Sequence, residues 1–403
     1  MHLKATLKGG VLSTIVVVAV LMLLIVFALI ALWDADFLLF SRANYLRVRR
    51  ANIESAFILY SLDPGITENL DADSTFVLFD SVPSSRMKIA RKPWGLYEVV
   101  TVGSGDGRIF RSGILGLRQP YKDDCRLWYR NNEGAVTLTG KSYIKGTADL
   151  PDNGIIYGQM QSTFFSGERL HPSHIRKSEK ELPSPADVAM RIIAGLFELR
   201  DTGSTGLPDS LTVAFRNSDT EVIGVGEIYD CYLSGNIILT GSKVDIRSDA
   251  ILHDVIVVAD EIRVEGGFRG SVQLFAADSV IVGRNVALES PSGIYSKKYA
   301  ELGDNSEVNG YLIVDYGGEE DIMQPACRKS QTSKLRGLFY CSGIAQIQGI
   351  VSGTAFVDKS VYYSPQGYYS DFLYDIALLE NRETAYPLWF DAPPQRKEAK
   401  WVR

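Results

Sequence analysis

Apolar residues recur along this chain at two spacings, one helical and one that suits stacked short strands. Residues 11–33 form an uncharged run of 23. A helix of that length rises roughly 34 Å, enough to cross a hydrocarbon core of about 30 Å. Val11, Val20, Leu24, Phe27 and Trp33 mark the expected span. Beyond Asp34 and Asp36, the residues Leu46, Ile53, Ala56, Phe57 and Tyr60 return at helical spacing, with Arg47, Arg50 and Glu54 elsewhere on the wheel. Asp63-Pro64-Gly65 closes the segment, because proline cannot continue a helix. The pattern predicts one helix from about residue 8 to residue 62. Its first half lies in lipid and its second half is an amphipathic stalk.

The second spacing begins at Ile238. In steps of 18, Ile238, Ile256 and Leu274 share a column, as do Val244, Ile262 and Val280, then Ile246, Val264 and Val282, then Ala250, Phe268 and Val286. Gly241, Ala259 and Ala277 form a small column beside a polar one of Ser242, Asp260 and Asp278. Apolar columns with alternation inside each short run describe a β-solenoid, in which each coil buries its apolar face only against its neighbours. Small and turn-forming residues fit the corners. The pattern weakens after Ser290 and resumes in residues 310–315 and 337–358, with 315–335 looping out. The Leu-Thr-Gly of residues 138–140 matches that of 239–241, which suggests an earlier coil or a second copy of the unit.

Between these two patterns, β-prone runs at 75–79, 96–102, 108–110 and 135–139 are broken by turns. Gly103, Gly105 and Gly107 separate two of the runs. A phosphate-binding loop needs a helix after it, and residues 108–111 alternate like a strand, so this is a turn. Residues 181–200 read as a helix capped by Ser184, with residues 171–185 as the loop before it. Residues 362–390 are aromatic and read as a solenoid cap, with a short helix at 371–379. The expected fold is mainly β. A transmembrane and stalk helix (1–62) leads to a small β-rich domain (63–170), then a linker and helix (171–225), a parallel β-solenoid of about 18 residues per coil (226–361) and an aromatic C-terminal cap (362–403).

Composition narrows the function. A net charge of −6 gives no support for nucleic-acid binding. The four histidines (His2, His171, His174, His253) are scattered, and the four cysteines include no C-x-x-C pair, so neither a metal nor another cofactor is expected. On the extracytoplasmic side, Cys327 and Cys341 could close one disulfide, with Cys125 and Cys231 as the second pair; the alternative is four small buried hydrophobes. Asp245, Arg247, Asp260, Glu261, Arg263 and Glu265 point outward from the coils. An enzyme acting on polysaccharide would need such carboxylates to converge. Asp245 with Arg263, and Arg247 with Glu265, instead stack as opposite charges, as on a solvated sheet face. The expectation is a protein that is not an enzyme.

The N-terminal layout resembles that of type IV pilin-like proteins, in particular minor pseudopilins of type II secretion and type IV pilus systems. The matching pieces are Lys8-Gly9-Gly10, the apolar run from Val11, and residues 42–60. The resemblance implies cleavage between Gly10 and Val11. Ile15 stands where most pilins carry a glutamate, a departure shared by one class of minor pseudopilin. The short coils are similar to those of bactofilins, polymer-forming scaffold proteins. Arg42, Arg47, Arg49 and Arg50 follow the span and support a cytoplasmic tether of that kind, while the short N-terminal tail and the acidic Asp34 and Asp36 argue the other way, so charge alone leaves the side even. The pilin resemblance implies the other side: an inner-membrane, single-pass protein whose bulk is extracytoplasmic. Its partners would be the lipid bilayer, other helical or pilin-like subunits and, on the alternative reading, cell-surface polysaccharide.

Overall fold

The computed structural model describes residues 9–67, 74–79, 85–121, 125–201, 206–216, 219–319, 321–391 and 395–402. Lys4 and Lys8 of the expected leader lie outside these residues. One unbroken helix, α1, spans Gly9–Leu62, as the apolar spacing predicts. Its final turns bury Ile53, Ala56, Phe57 and Tyr60 against an antiparallel sheet. The sheet contains β1 (Ser74–Val77), β2 (Arg86–Trp94), β3 (Tyr97–Ser104) and β4 (Phe110–Leu117), and the C-terminal strand Arg396–Val402 completes it beside β4. The glycine-rich segment 103–107 is the turn between β3 and β4. The expected strand at 108–110 starts only at Phe110. Strand β2 escapes a reading by composition because Arg86, Lys88, Arg91 and Lys92 dominate it, while Met87 and Ile89 turn inward.

Most of the chain between β4 and the last strand builds a parallel β-solenoid of about 12 turns at a spacing of about 19 residues. It has three faces. The first stacks Tyr232–Gly235 on the start of Ile251–Val264, and continues through Glu307, Lys334 and Ile350 to Ala377. The second runs inward through Leu239, Val257, Leu274, Ile294, Leu312, Phe339, Ala355 and Leu127, all fully buried. The third carries Ile246, Val264, Val282, Leu302, Lys329 and Ile347 in register. The 18-residue step therefore holds on the third face. On the second it slips: Ile256 pairs with Gln273, and Leu274 with Val257. The register shifts between His253 and Val255, where Asp254 takes a positive φ of 60°. A single residue dropped from a ladder reverses which side chains face inward, so this bulge moves Gln273 to the outside of the coil.

The division expected at residue 170 is not where the structure divides. Residues 125–177 belong to the solenoid and extend its far end. Strand Cys125–Tyr129 pairs with residues 355–357, and Ile376–Leu379 with residues 349–352, so two remote parts of the chain build one coil. Val136–Thr139 and Thr147–Leu150 form the next turn, so residues 138–140 do lie in an additional coil, but on its third face, whereas residues 239–241 lie on the second. Residues 371–379, expected as a short helix, are the strands Phe372–Tyr374 and Ile376–Leu379. Their alternating burial fits the period of a strand.

Outer residues of the second face are apolar as well: Val258, Phe275, Tyr295, Ile313, Tyr340, Phe356 and Trp128 stack in one buried column. Helix α2 (Asp187–Glu198), Trp389 and Phe390 cover it. The aromatic C-terminal segment thus plates one side of the solenoid; it does not cap an end. Ala186, not Ser184, occupies the N-cap of α2. Its N–H donates to the Trp389 carbonyl at 2.7 Å, so the covering segment sets where this helix begins.

Candidate functional site: the apolar helix and its clamp

From Gly10 to Asn44, every residue of α1 is exposed among the described residues, and Val11, Val20, Leu24, Phe27 and Trp33 are 46–76% exposed. Apolar exposure continues past Asp34 and Asp36 through Phe37, Leu38, Leu39 and Phe40. The segment is long and apolar enough to cross a membrane. Gly10 and Val11 stand at its first turn, where Ser13 and Thr14 donate to the Gly10 carbonyl at 3.0 and 2.8 Å.

The stalk half is fixed to the sheet by polar contacts that apolar spacing does not reveal. Asp106, at the tip of the glycine-rich turn, accepts from Tyr45 Oη at 3.1 Å and pairs with Arg49. Hydrogen bonds from Ser104 above all, then from the Arg108 N–H, Tyr45 and Arg49, hold its carboxyl well below the usual range. Arg111 reaches Glu54 at 3.0 Å and lies over the Trp401 ring. Deeper in, Glu98 accepts from Tyr60 Oη at 3.0 Å and from Arg396 Nε at 2.7 Å, joining the helix, β3 and the C-terminal strand. A single charged residue such as Glu98 within a strand or Arg396 near the C-terminus carries no sequence signal for these roles.

The sheet is in turn locked to the solenoid by Gln273. Its Oε1 accepts from the Leu96 N–H and from Tyr311 Oη, each at 3.0 Å, and its Nε2 donates to the Trp94 carbonyl at 2.9 Å. Gly95, between these two backbone groups, has a φ of 58°, and a side chain there would meet Gln273 Oε1 at 2.1 Å. Trp94 Nε1 donates to the Asp254 carbonyl at 3.1 Å, and Lys400 reaches the Asp254 carboxylate at 2.8 Å. The bulge that shifts the ladder therefore supplies both docking groups. Helix, sheet and solenoid are joined by buried polar contacts, so a force on one part is passed to the others.

The outward charges of the coils are spent on each other. Asp245 sits in register with Arg263, and Arg247 lies 2.5 Å from Glu227 and 3.9 Å from Glu265. Asp260 pairs with Arg200 at 2.7 Å, and Glu261 with Lys243 at 3.9 Å. The arrangement suits modest stabilisation of an exposed sheet face. His171 bonds Ser173, and His253 lies against the Tyr232 ring. Among the described residues, no group of three or more His, Cys, Asp or Glu is placed to hold a metal.

All four cysteines are buried free thiols, in line with the reading of four small buried hydrophobes and against the pairings of Cys327 with Cys341 and Cys125 with Cys231. Cys327 and Cys341 lie on different faces and fill inward positions of the coil. Burial pushes the Cys341 thiol up to about 12 and Cys231 to about 11, so both stay protonated and unreactive at neutral pH.

One inward position breaks the apolar pattern. Lys329 is 1% exposed between Leu302 and Ile347, and its Nζ donates to the carbonyls of Ser333 and Gln348, each at 2.8 Å. Burial lowers its pKa from 10.5 to about 7. The unfolded chain binds that proton up to about pH 10.5, so the cost of burying the charge is full below about 7 and vanishes above 10.5. Stability of the natural chain relative to Lys329→Met should therefore rise with pH across this window. Thermal unfolding of both chains between pH 7 and 9 checks it; parallel curves would refute a buried titrating amine.

The molecule is a β-solenoid set into an antiparallel sheet that clamps a long, half-uncovered apolar helix. No protein-family model, no curated protein and no solved structure matches the chain.

Proposed function

We propose that the chain is a membrane-anchored, non-enzymatic assembly component of a cell-envelope machine of the pilin-like kind, with its bulk on the extracytoplasmic side. The observation that carries this reading is the division of α1. A segment of that length and apolarity is left uncovered by the described residues, while the same unbroken helix is tied to the sheet by Glu98, Asp106 and Arg111. Anchored this way, the helix gives neighbouring helices a surface for association by packing in and near the bilayer. The solenoid then serves as a stiff projection. Its core is apolar over most of its length, and its outward charges pair across coils.

Processing provides the test. The protein purified from membranes of its host should begin at Val11, which mass spectrometry of the intact chain reads directly. A chain that begins at Met1 would remove the pilin-like part of the proposal and leave a signal anchor carrying a solenoid.

A further inference from the structure

Where α1, the C-terminal strand and the solenoid meet, they enclose a cleft of about 750 Å³. Six basic and three acidic side chains line it. Several are already paired, among them Arg111 with Glu54, Arg382 with Glu380 and Arg396 with Glu98. Arg118 is exposed in the cleft and forms no ion pair among the described residues. Lys397 donates to the Arg382 carbonyl and stands beside Arg118, so two like charges adjoin, with the Glu383 carboxylate offsetting part of the charge on Lys397. The Asn381 Nδ2 donor is buried and has no acceptor among the described residues. Phe57 and Ile58, the latter 59% exposed, give the cleft an apolar wall. Ile58 lies 25 residues beyond Trp33, about 37 Å along the helix, which is too far for a lipid headgroup. The site is built for a carboxylate-bearing segment with an apolar neighbour.

This chain carries such a segment elsewhere. Residues 315–319 and 321–326 lie between the second and third faces of the solenoid, whereas the cleft, lined by Thr354 and Glu380, lies at the corner of the first and second. In this loop Glu319 and Asp321 are exposed and form no ion pair among the described residues, and Met323 beside them is 61% exposed. The loop is held in place. Tyr316 Oη donates to the Glu319 carbonyl at 2.6 Å, the Tyr316 N–H to Ser342 Oγ at 2.8 Å, and Tyr363 Oη to the Ile322 carbonyl. We propose that the basic cleft of one copy receives the acidic loop 315–326 of a second copy, so that the chains associate head to tail. Cleft and loop are different surfaces, so the contact is heterologous and continues from copy to copy instead of stopping at a dimer. The inference deepens the assembly reading and needs it only to bring copies together in one membrane.

The four native thiols are buried, so engineered cysteines report alone. In the full chain in host membranes, Gln119→Cys in the cleft and Met323→Cys in the loop are combined and treated with copper–phenanthroline. The expected product is a ladder of dimers, trimers and larger species, while either cysteine alone yields nothing beyond dimers. Arg118→Glu should reduce the ladder at least tenfold, Glu319→Lys likewise, and the two together should restore it. Absence of the ladder, or a ladder indifferent to both reversals, overturns the proposal. So does loss with Arg118→Glu but not Glu319→Lys in otherwise unchanged membranes, because the cleft would then serve another partner. A chain that begins at Val11 but gives no ladder would sink the loop–cleft contact and leave the assembly reading standing; the reverse result would separate them the other way.

Discussion

Gly337→Ala is expected to cost more than about 3 kcal/mol and to leave little folded solenoid at physiological temperature. Gly310, Gly337 and Gly353 stack in register at one corner of successive coils, each with φ between 135° and 149°. A Cβ on Gly337 would stand 1.8 Å from the Gly310 carbonyl oxygen, and one on Gly353 would stand 1.9 Å from that of Gly337. These are backbone atoms of a continuous ladder and cannot turn aside as a side-chain tip would. Gly367 supplies the control. Its φ is 141°, yet open space surrounds the added Cβ. Gly367→Ala should therefore carry only the backbone penalty, about 1–2 kcal/mol. Thermal unfolding of the two variants in the same micelles measures the difference. Equal losses would show that the corner relaxes and that close stacking does not fix it.

Glu98→Ala is the second large effect, expected at about 3 kcal/mol. The carboxylate is 7% exposed and is the shared acceptor of Tyr60 and Arg396. Its removal leaves a guanidinium and a phenol turned toward a buried gap. Breaking one side of a buried pair costs more than replacing both sides with apolar groups, so Glu98→Leu with Arg396→Met should recover most of the loss. The consequence is local. Hydrogen exchange of the α1 amides at residues 52–60 should quicken at least tenfold, while the solenoid interior keeps its protection. If the α1 amides stay protected in Glu98→Ala, the stalk is held by its apolar face alone and the clamp is incidental.

Both variants act on features that differ in how visible they are along the chain. The helix Gly9–Leu62 and the third-face column Ile246, Val264, Val282 are legible because each depends on a local period: 3.6 residues for the helix, one coil for the solenoid. The second-face column Ile238, Ile256, Leu274 fails at its last member, because Asp254 drops from the ladder and a repeat counted in fixed steps cannot see a one-residue bulge. The clamp was not legible. Glu98 lies within a strand of valines, Asp106 within a turn explained by its glycines, and Lys329 at a position where the column calls for an aliphatic residue. Each is defined by a partner more than 50 residues away or by burial that only the assembled coil creates.

By itself, the sequence determined the long apolar helix, its polar stalk and the stacked coils. Each of these follows from side-chain periodicity within a few turns of chain. Tertiary structure decided that residues 125–129 and 376–379 share a coil, that the last strand returns to β4, and that the aromatic C-terminal segment covers a side of the solenoid and not its end. A β-strand does not specify its neighbour: its backbone hydrogen bonds are satisfied by any chain of matching register, and side chains across the ladder make the choice. Across the ladder of Ala355 with Leu127 those side chains come from segments about 230 residues apart, and no local period records their meeting.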